Sequence, residues 1–257
     1  MYKIRYFSAT NNSKYYAYSL YEEMKKEIED VSYEFIDING EEFKDDVLIL
    51  FFPILFQRLP ISLNTFINNS KFENTLIYVY AGSFDKLGIA FNDLKNALKE
   101  KDATLASFKM IKVPNNNIIK LWGKATGEFS ASIILDKGRN EVLKDIEKIK
   151  NKEKDDVNKI KIKYRKNKYT KISYKKYEEE IAKLGDHFMI NSECIRCRMC
   201  QMDCVRENID LIDGIITFKD KCEGCLACIN NCPYGAIEYE DITRGRRRYK
   251  NPKEINE

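Results

Sequence analysis

Hydrophobic and polar residues follow two different periods along the first two thirds of this 257-residue chain. Short continuous apolar runs, above all residues 47–52 and 75–81, are typical of strands that are buried on both faces of a sheet. Between such runs, apolar residues recur every three or four positions, which indicates amphipathic helices. The pattern predicts strands at residues 3–8, 32–36, 47–52, 75–81 and 104–113, and helices at residues 13–30, 61–68, 89–101 and 138–160.

The order of these elements predicts the fold class. Strands and helices that alternate along a chain form a parallel sheet with helices on both faces, so we expect an α/β doubly wound domain. The length allows a second, small domain. Within it, Asp213-Gly214 between two apolar runs predicts a hairpin with a type I′ turn. We expect the sheet domain at residues 1–165, a linker helix at 166–186, a small α+β domain at 187–243 and a basic tail at 244–257.

All eight cysteines lie in the predicted second domain, in two runs of the spacing C-x2-C-x2-C-x3-C. Three closely spaced thiols can wrap one face of a metal–sulfur cluster, and a remote fourth can close the opposite corner. One alternative is a zinc ribbon, which has no use for the third closely spaced cysteine. Another is a disulfide framework, which needs a secretory signal that the sequence does not suggest. The runs are Cys194, Cys197, Cys200 and Cys204, followed by Val205, and Cys222, Cys225, Cys228 and Cys232, followed by Pro233.

This spacing resembles that of bacterial ferredoxins with two 4Fe–4S clusters, and the resemblance implies electron transfer. It also implies a crossed arrangement, in which each run gives three ligands to one cluster and its fourth ligand to the other. The expected ligand sets are Cys194, Cys197, Cys200 and Cys232 for one cluster, and Cys222, Cys225, Cys228 and Cys204 for the other.

The turn after the first predicted strand is a candidate anion site. It runs from Ser8 to Lys14, is rich in hydroxyl and amide side chains, and leads directly into a helix. Helix N-termini favour phosphate groups because their free N–H groups and the helix dipole attract negative charge. The alternative is an ordinary Ser or Asn cap of that helix.

The same turn resembles the T-x-T-G-N-T phosphate loop of flavodoxins, which bind FMN, with Asn11 in place of the glycine. Later segments resemble the flavin loops of that family, although Asn117 replaces an aromatic residue and Phe56 stands near a position that is often small. The FMN-binding residues that the resemblance implies are Ser8, Thr10, Asn11, Asn12 and Ser13; Pro53, Ile54, Leu55 and Phe56; Ala81, Gly82, Ser83 and Gly88; and Asn115, Asn116 and Asn117.

Charge and hydropathy limit the function classes. The net charge of +4 is too small to indicate nucleic-acid binding, and no apolar run is long enough to span a membrane. Reduced cysteines and the lack of a targeting segment predict a cytoplasmic protein. Two basic segments, residues 158–177 and the arginines Arg244, Arg246, Arg247 and Arg248, are either solvated surface or a docking surface for an acidic redox partner.

A flavodoxin-like domain followed by a two-cluster ferredoxin domain resembles the flavodoxin–ferredoxin fusion proteins of anaerobic microbes. The resemblance implies an electron-transfer protein that passes electrons between FMN, two 4Fe–4S clusters and an external redox protein, and no catalytic residue is predicted. Two alternatives stay open: a redox or oxygen sensor whose clusters control partner binding, and a ferredoxin-dependent flavin reductase that acts on a small molecule.

Overall fold

The structure, a computed structural model, describes residues 1–161, 164–253 and 255. Its largest unit is a parallel sheet. The strands of this part are, in chain order, β1 (Tyr2–Tyr6), β2 (Val31–Phe35), β3 (Glu42–Lys44), β4 (Val47–Pro53), β5 (Lys71–Glu73), β6 (Thr75–Ser83) and β7 (Ala103–Lys112). The five long strands pair in the order β2-β1-β4-β6-β7, all in parallel, while β3 and β5 form a separate parallel pair.

Helices cover both faces of this sheet, as the alternating pattern predicts. They are α1 (Asn12–Met24), α2 (Ile61–Asn69), α3 (Ala90–Ala97), α4 (Glu128–Leu143) and the short α5 (Ile146–Lys150). Alternate residues of β4 supply the two cores: Leu48 and Leu50 pack with α2 and α3, whereas Ile49 and Phe51 pack with α1 and α4. A strand buried in this way needs apolar side chains at every position, which explains its continuous hydrophobic run.

Three predicted helices have wrong boundaries. The helix expected at residues 13–30 ends at Met24, and the one expected at 89–101 covers only Ala90–Ala97. In place of one long helix at 138–160, α4 begins already at Glu128, because its buried stripe includes Ala131 and Leu135. Its partner α5 ends before Lys152, whose φ of 54° lies in the left-handed region and cannot continue a right-handed helix.

The expected linker helix is shorter and is part of the packed structure. Within residues 166–186, α6 (Tyr174–Ala182) is followed by a 3-10 turn (Lys183–His187). Tyr177 and Ile181 of α6 are fully buried. The guanidinium group of Arg58 donates hydrogen bonds to the carbonyl oxygens of Tyr169 and Ile172, so this segment is fastened to the sheet domain.

The C-terminal part contains two small antiparallel pairs and two short helices. Its elements are β8 (Phe188–Ile190), α7 (Met199–Met202), β9 (Ile209–Ile212), β10 (Ile215–Phe218), α8 (Ala227–Asn231) and β11 (Ile237–Tyr239). The predicted hairpin is confirmed: β9 pairs with β10 across Asp213 and Gly214, whose φ values of 49° and 77° fit a type I′ turn. Strand β8 pairs with β11.

The two parts of the chain share a hydrophobic core. Ile118 and Ala131 of the sheet domain are buried together with Leu226, Ile229 and Tyr249 of the C-terminal part. None of the helices in the described part of the chain has the length and apolar composition needed to cross a membrane.

Candidate functional site

A cavity of about 550 Å³ lies at the carboxyl ends of the parallel strands. The loops after β1, β4, β6 and β7 form its walls, and the sheet order reverses between β1 and β4, where doubly wound sheets bind ligands. Most of the residues expected to bind FMN line this one cavity: Ser8, Thr10, Asn12, Ser13, Pro53, Ile54, Leu55, Phe56, Gly82, Ser83, Asn115, Asn116 and Asn117.

Three expected residues do not line the cavity. Ala81 is buried within β6, and Asn11 is exposed at the start of α1. Gly88 has a φ of 66° and packs against Gln57, where an added Cβ would lie 2.3 Å from the backbone oxygen. Its role is to let two loops approach closely, because a side chain at this position would clash.

The turn before α1 has the features of an anion site. Asn11 adopts the left-handed conformation, with φ 60° and ψ 9°, as a residue in the place of a glycine must. The side chain of the N-cap residue Asn11 makes no capping hydrogen bond to the first turn of α1. Thr10 and Ser13 are buried, and Thr10 Oγ1 accepts a hydrogen bond of 3.0 Å from Asn116 Nδ2.

One polar atom in the cavity wall has no hydrogen-bond partner among the residues that the structure describes. Asn117 Oδ1 is buried and makes no hydrogen bond to any described residue. A buried acceptor without a donor is unfavourable by about 1–3 kcal/mol, so a ligand that donates a hydrogen bond here would be stabilised.

Sequence reasoning missed the other walls of the cavity. Arg165, Asn167, Lys168 and Tyr169 from the segment before α6 line it, although they are far in sequence from the predicted loops. Lys86 and Lys120 add two more cations, against the single carboxylate of Asp85, so the lining carries excess positive charge. The run of residues 158–177 without an acid was the only signal in the sequence.

The eight cysteines are brought together as two groups of four around two small cavities in the C-terminal part. Each group contains three cysteines of one run and the last cysteine of the other run. One cavity is lined by Cys194, Cys197, Cys200 and Cys232, and the other by Cys222, Cys225, Cys228 and Cys204.

The surroundings of the thiols favour bound thiolates when a cationic metal is present. Burial raises the pKa of the Cys200 thiol to about 11 and that of Cys222 to about 12. Backbone N–H groups point at the sulfurs, with Asn208 N 3.3 Å from Cys204 Sγ and Ala236 N 3.3 Å from Cys232 Sγ. Burial disfavours the thiolate form of a cysteine that binds no metal. When a metal is bound and compensates the negative charge, the backbone N–H donors stabilise the thiolate ligand.

The grouping of the thiols also bears on the kind of metal. Among the described residues, no three His, Cys, Asp or Glu side chains converge closely enough to hold one metal ion. A structural zinc site needs four ligands at bonding distance from a single ion. Each of the two groups offers four thiols, which is the number of ligands that one 4Fe–4S cluster takes.

The two halves of the C-terminal part repeat each other with a shift of 28 residues, which is the distance from Cys194 to Cys222. Left-handed backbone recurs at matching positions: Arg196 (φ 60°) corresponds to Gly224 (φ 70°), and Arg198 (φ 62°) to Leu226 (φ 63°). The loops around the thiols therefore have the same local shape in both halves.

The large cavity and the second thiol group meet at two adjacent residues. Cys225 and Leu226 line both of them. Beside it, Phe56 packs so closely on Gly224 that an added Cβ would lie 2.5 Å from the ring. Phe56 and Gln57 also have positive φ values, 50° and 67°, which are strained for residues with side chains and are typical of functional sites.

The predicted basic tail is only in part a free surface. Arg246 donates hydrogen bonds to the carbonyl oxygens of Ile118, Lys120 and Leu121, and Arg248 Nη2 lies 2.8 Å from Glu238 Oε2. The guanidinium groups of Arg246 and Arg248 therefore hold the fold together, whereas Arg244 and Arg247 of the same cluster are exposed.

Comparison with known proteins identifies the C-terminal part. Residues 215–238 match the 4Fe-4S binding domain family. The polyferredoxin protein MvhB of Methanothermobacter marburgensis and that of Methanothermobacter thermautotrophicus are each 35% identical over 77 residues, which cover 27% of this chain and 18% of the relative. The match thus spans less than a fifth of the curated relatives.

Among solved structures, the Trp repressor binding protein from Bacillus subtilis aligns with 56% of this chain and 97% of its own, at 10% identity and a TM-score of 0.31.

The C-terminal part is a 4Fe–4S ferredoxin-type domain, and with its eight cysteines it supports 4Fe–4S cluster binding and a role in electron transfer.

Proposed function

We propose that this protein is an electron carrier in which FMN occupies the large cavity and two 4Fe–4S clusters connect it to an external redox protein. The observation that carries the proposal is the position of Cys225, which lines both the large cavity and the cavity of the second thiol group. Cofactors in the two cavities would be separated by little more than the side chains of Cys225 and Leu226.

FMN is the flavin that the cavity supports best. Counted among themselves, the five long strands have the order 2-1-3-4-5, which is the flavodoxin-like order of doubly wound sheets. The uncapped start of α1 offers one site for one phosphate group. The buried acceptor Asn117 Oδ1 offers a partner for a hydrogen-bond donor of the bound ring.

The ligand sets of the two clusters follow the two groups of thiols. We assign Cys194, Cys197, Cys200 and Cys232 to cluster I, and Cys222, Cys225, Cys228 and Cys204 to cluster II. The division of the chain that goes with this proposal puts the FMN domain at residues 1–165 and the cluster domain at 187–243, with α6 between them.

Such a carrier can pass electrons between partners that exchange different numbers of electrons. FMN exchanges one or two electrons, whereas each cluster exchanges one. The chain sets the spacing of the sites and excludes water between them. The loop of Gly224 and Leu226, which is buried against Phe56, is suited to exclude water.

The experiment that tests the proposal quantifies iron, sulfide and FMN on one anaerobic sample, together with its visible spectrum. We expect two 4Fe–4S clusters and one FMN per chain. If protein that carries both clusters bound no FMN, the FMN part of the proposal would be refuted. If iron and sulfide accounted for only one cluster, the proposed path through two clusters would be refuted.

A second candidate function is reduction of an anionic small molecule at the flavin. The excess of cations on the cavity wall, Lys86, Lys120, Arg165 and Lys168, favours it because an unbalanced positive cleft attracts anions. Reoxidation of the reduced holoprotein by a carboxylate-bearing acceptor, faster than by its neutral amide analogue, would support this activity.

A further inference from the structure

We infer that the exposed loop of the first cysteine run is the docking face for an acidic iron–sulfur protein that delivers electrons to cluster I. This first-run face is defined by Ile195, Arg196, Arg198, Met199 and Met202. The inference rests on the proposed function, because it assumes that the first group of thiols holds a cluster.

The internal repeat shows why this face is unusual. Its counterparts in the second half, 28 residues later, are buried against the FMN domain: Met202 is 71% exposed, whereas its counterpart Asn230 is 0% exposed and donates a hydrogen bond to Asn116 O. Likewise, Ile195 is 57% exposed and its counterpart Glu223 is 2% exposed.

The second half therefore uses this loop to contact a redox domain within the chain. Gly224 packs on Phe56, and Cys225 reaches the wall of the large cavity. The first half has the same backbone conformation and leaves the equivalent loop open, with Cys197 exposed at its centre. The loop that contacts a redox domain in the second half thus has an exposed equivalent in the first half, which a separate protein can contact.

Charge and side-chain type specify the partner. The charged residues that line the cavity of the first thiol group, within the described part of the chain, are Arg196 and Arg198, whereas the acids Glu193 and Asp213 lie outside that lining. Arg196 Nε is held by a hydrogen bond of 2.7 Å to Gly214 O. Asp203, the nearest acid after the loop, accepts a hydrogen bond from Asn231 Nδ2.

A protein with acidic residues around its own cluster would complement these two cations. Exposed methionines adapt their shape to a partner at little cost, as Met199 and Met202 could do here. The transfer itself is a single electron: the donor's reduced cluster is oxidised by one electron and cluster I is reduced by one, and no bond or proton is exchanged.

The test uses the complete holoprotein, with both clusters and FMN, mixed with a reduced acidic two-cluster ferredoxin in a stopped-flow instrument. Electrostatic steering raises association rates and is lost at high salt, so the wild-type rate should fall steeply as salt rises. The Arg198→Glu and Met202→Glu variants should each be slower, and the double variant should be slower by roughly tenfold or more at low salt.

Two controls separate docking from other defects. Lys144→Glu makes the same charge reversal as Arg198→Glu on the exposed side of the sheet domain and should leave the rate unchanged. Reduction by dithionite, which needs no docking surface, should be the same in every variant with full iron content. Met202→Glu keeps the test valid if Arg198→Glu disturbs the cluster loop.

The inferred docking face would be wrong if the wild-type reduction rate did not change with salt concentration, or if the double variant reacted as fast as the wild type. Failure of the proposed function looks different: iron or FMN would be missing from the wild-type sample itself. The docking result and the cofactor result are therefore read from separate measurements.

Discussion

The hydroxyl group of Tyr249 donates a hydrogen bond of 2.6 Å to Asn12 Oδ1, across 237 residues of sequence. Tyr249 is buried, and Asn12 is the first residue of α1 in the candidate phosphate turn. Asn251 Nδ2 adds a hydrogen bond of 2.9 Å to Asn11 O. The segment after the cluster domain therefore fastens that domain to the turn on which we propose the FMN phosphate lies.

Removing the Tyr249 hydroxyl should loosen this junction. In Tyr249→Phe the buried acceptor Asn12 Oδ1 loses its strongest donor, so the free energy of unfolding should fall by about 1–3 kcal/mol. Chemical denaturation of the holoprotein measures the change. Tyr164→Phe removes a hydroxyl from a more exposed ring and should be neutral. Equal stability of both variants would mean that the Tyr249 contact does not stabilise the junction.

The crossed cysteine sets predict which cluster each fourth ligand supports. Cys232→Ala should damage the cluster held by Cys194, Cys197 and Cys200, because all four line one cavity. Cys204→Ala should damage the other cluster instead. Iron content and the electron paramagnetic resonance spectra of the reduced variants distinguish the two clusters. If Cys232→Ala removed the second cluster and spared the first, the crossing would be wrong.

The hydroxyls of the turn should contribute to FMN affinity. Thr10→Val together with Ser13→Ala removes two buried donors, and the loss of a hydrogen bond to a charged group costs about 1.5–3 kcal/mol, so affinity should fall at least tenfold. Titration of flavin-free, cluster-loaded protein with FMN measures it. Thr104→Val, on the exposed side of β7, is the matched control. Unchanged affinity in the double variant would move the phosphate elsewhere.

The buried ion pair of Arg58 and Asp93 should be the main fastening of the segment before α6. Arg58 is 2% exposed, its Nε lies 2.7 Å from Asp93 Oδ2, and it stacks on the rings of Tyr174 and Tyr177. Removing one partner of a buried pair leaves an uncompensated charge, so Asp93→Leu should cost about 3–5 kcal/mol of stability.

The double variant tests this explanation. Arg58→Met combined with Asp93→Leu should be less destabilised than Asp93→Leu alone, because no buried charge is left without a partner. Thermal unfolding of the single and double variants gives the comparison. A double variant that loses the sum of both single losses would show that the pair does not act as a unit.

Local features of this chain could be predicted from its sequence. The spacing of the cysteines, the turn before α1 and the Asp213-Gly214 hairpin depend on residues a few positions apart, whose backbone can adopt few conformations. The buried strands were also predicted, since a strand covered on both faces needs apolar side chains throughout. Helix ends were predicted less well, because the tertiary contacts of α4 and the left-handed Lys152 decided them.

Contacts between distant segments were decided only by the tertiary structure. The sequence could not show that Cys225 would line the large cavity, that Arg165 and Lys168 would join its wall, or that Arg246 would bind the loop of residues 118–123. Each of these contacts joins segments that lie far apart in the sequence, and its position is set by how separately patterned parts of the chain pack together. Hydrophobic period and motif spacing describe each part alone, so the packing of one against the other has no local signal.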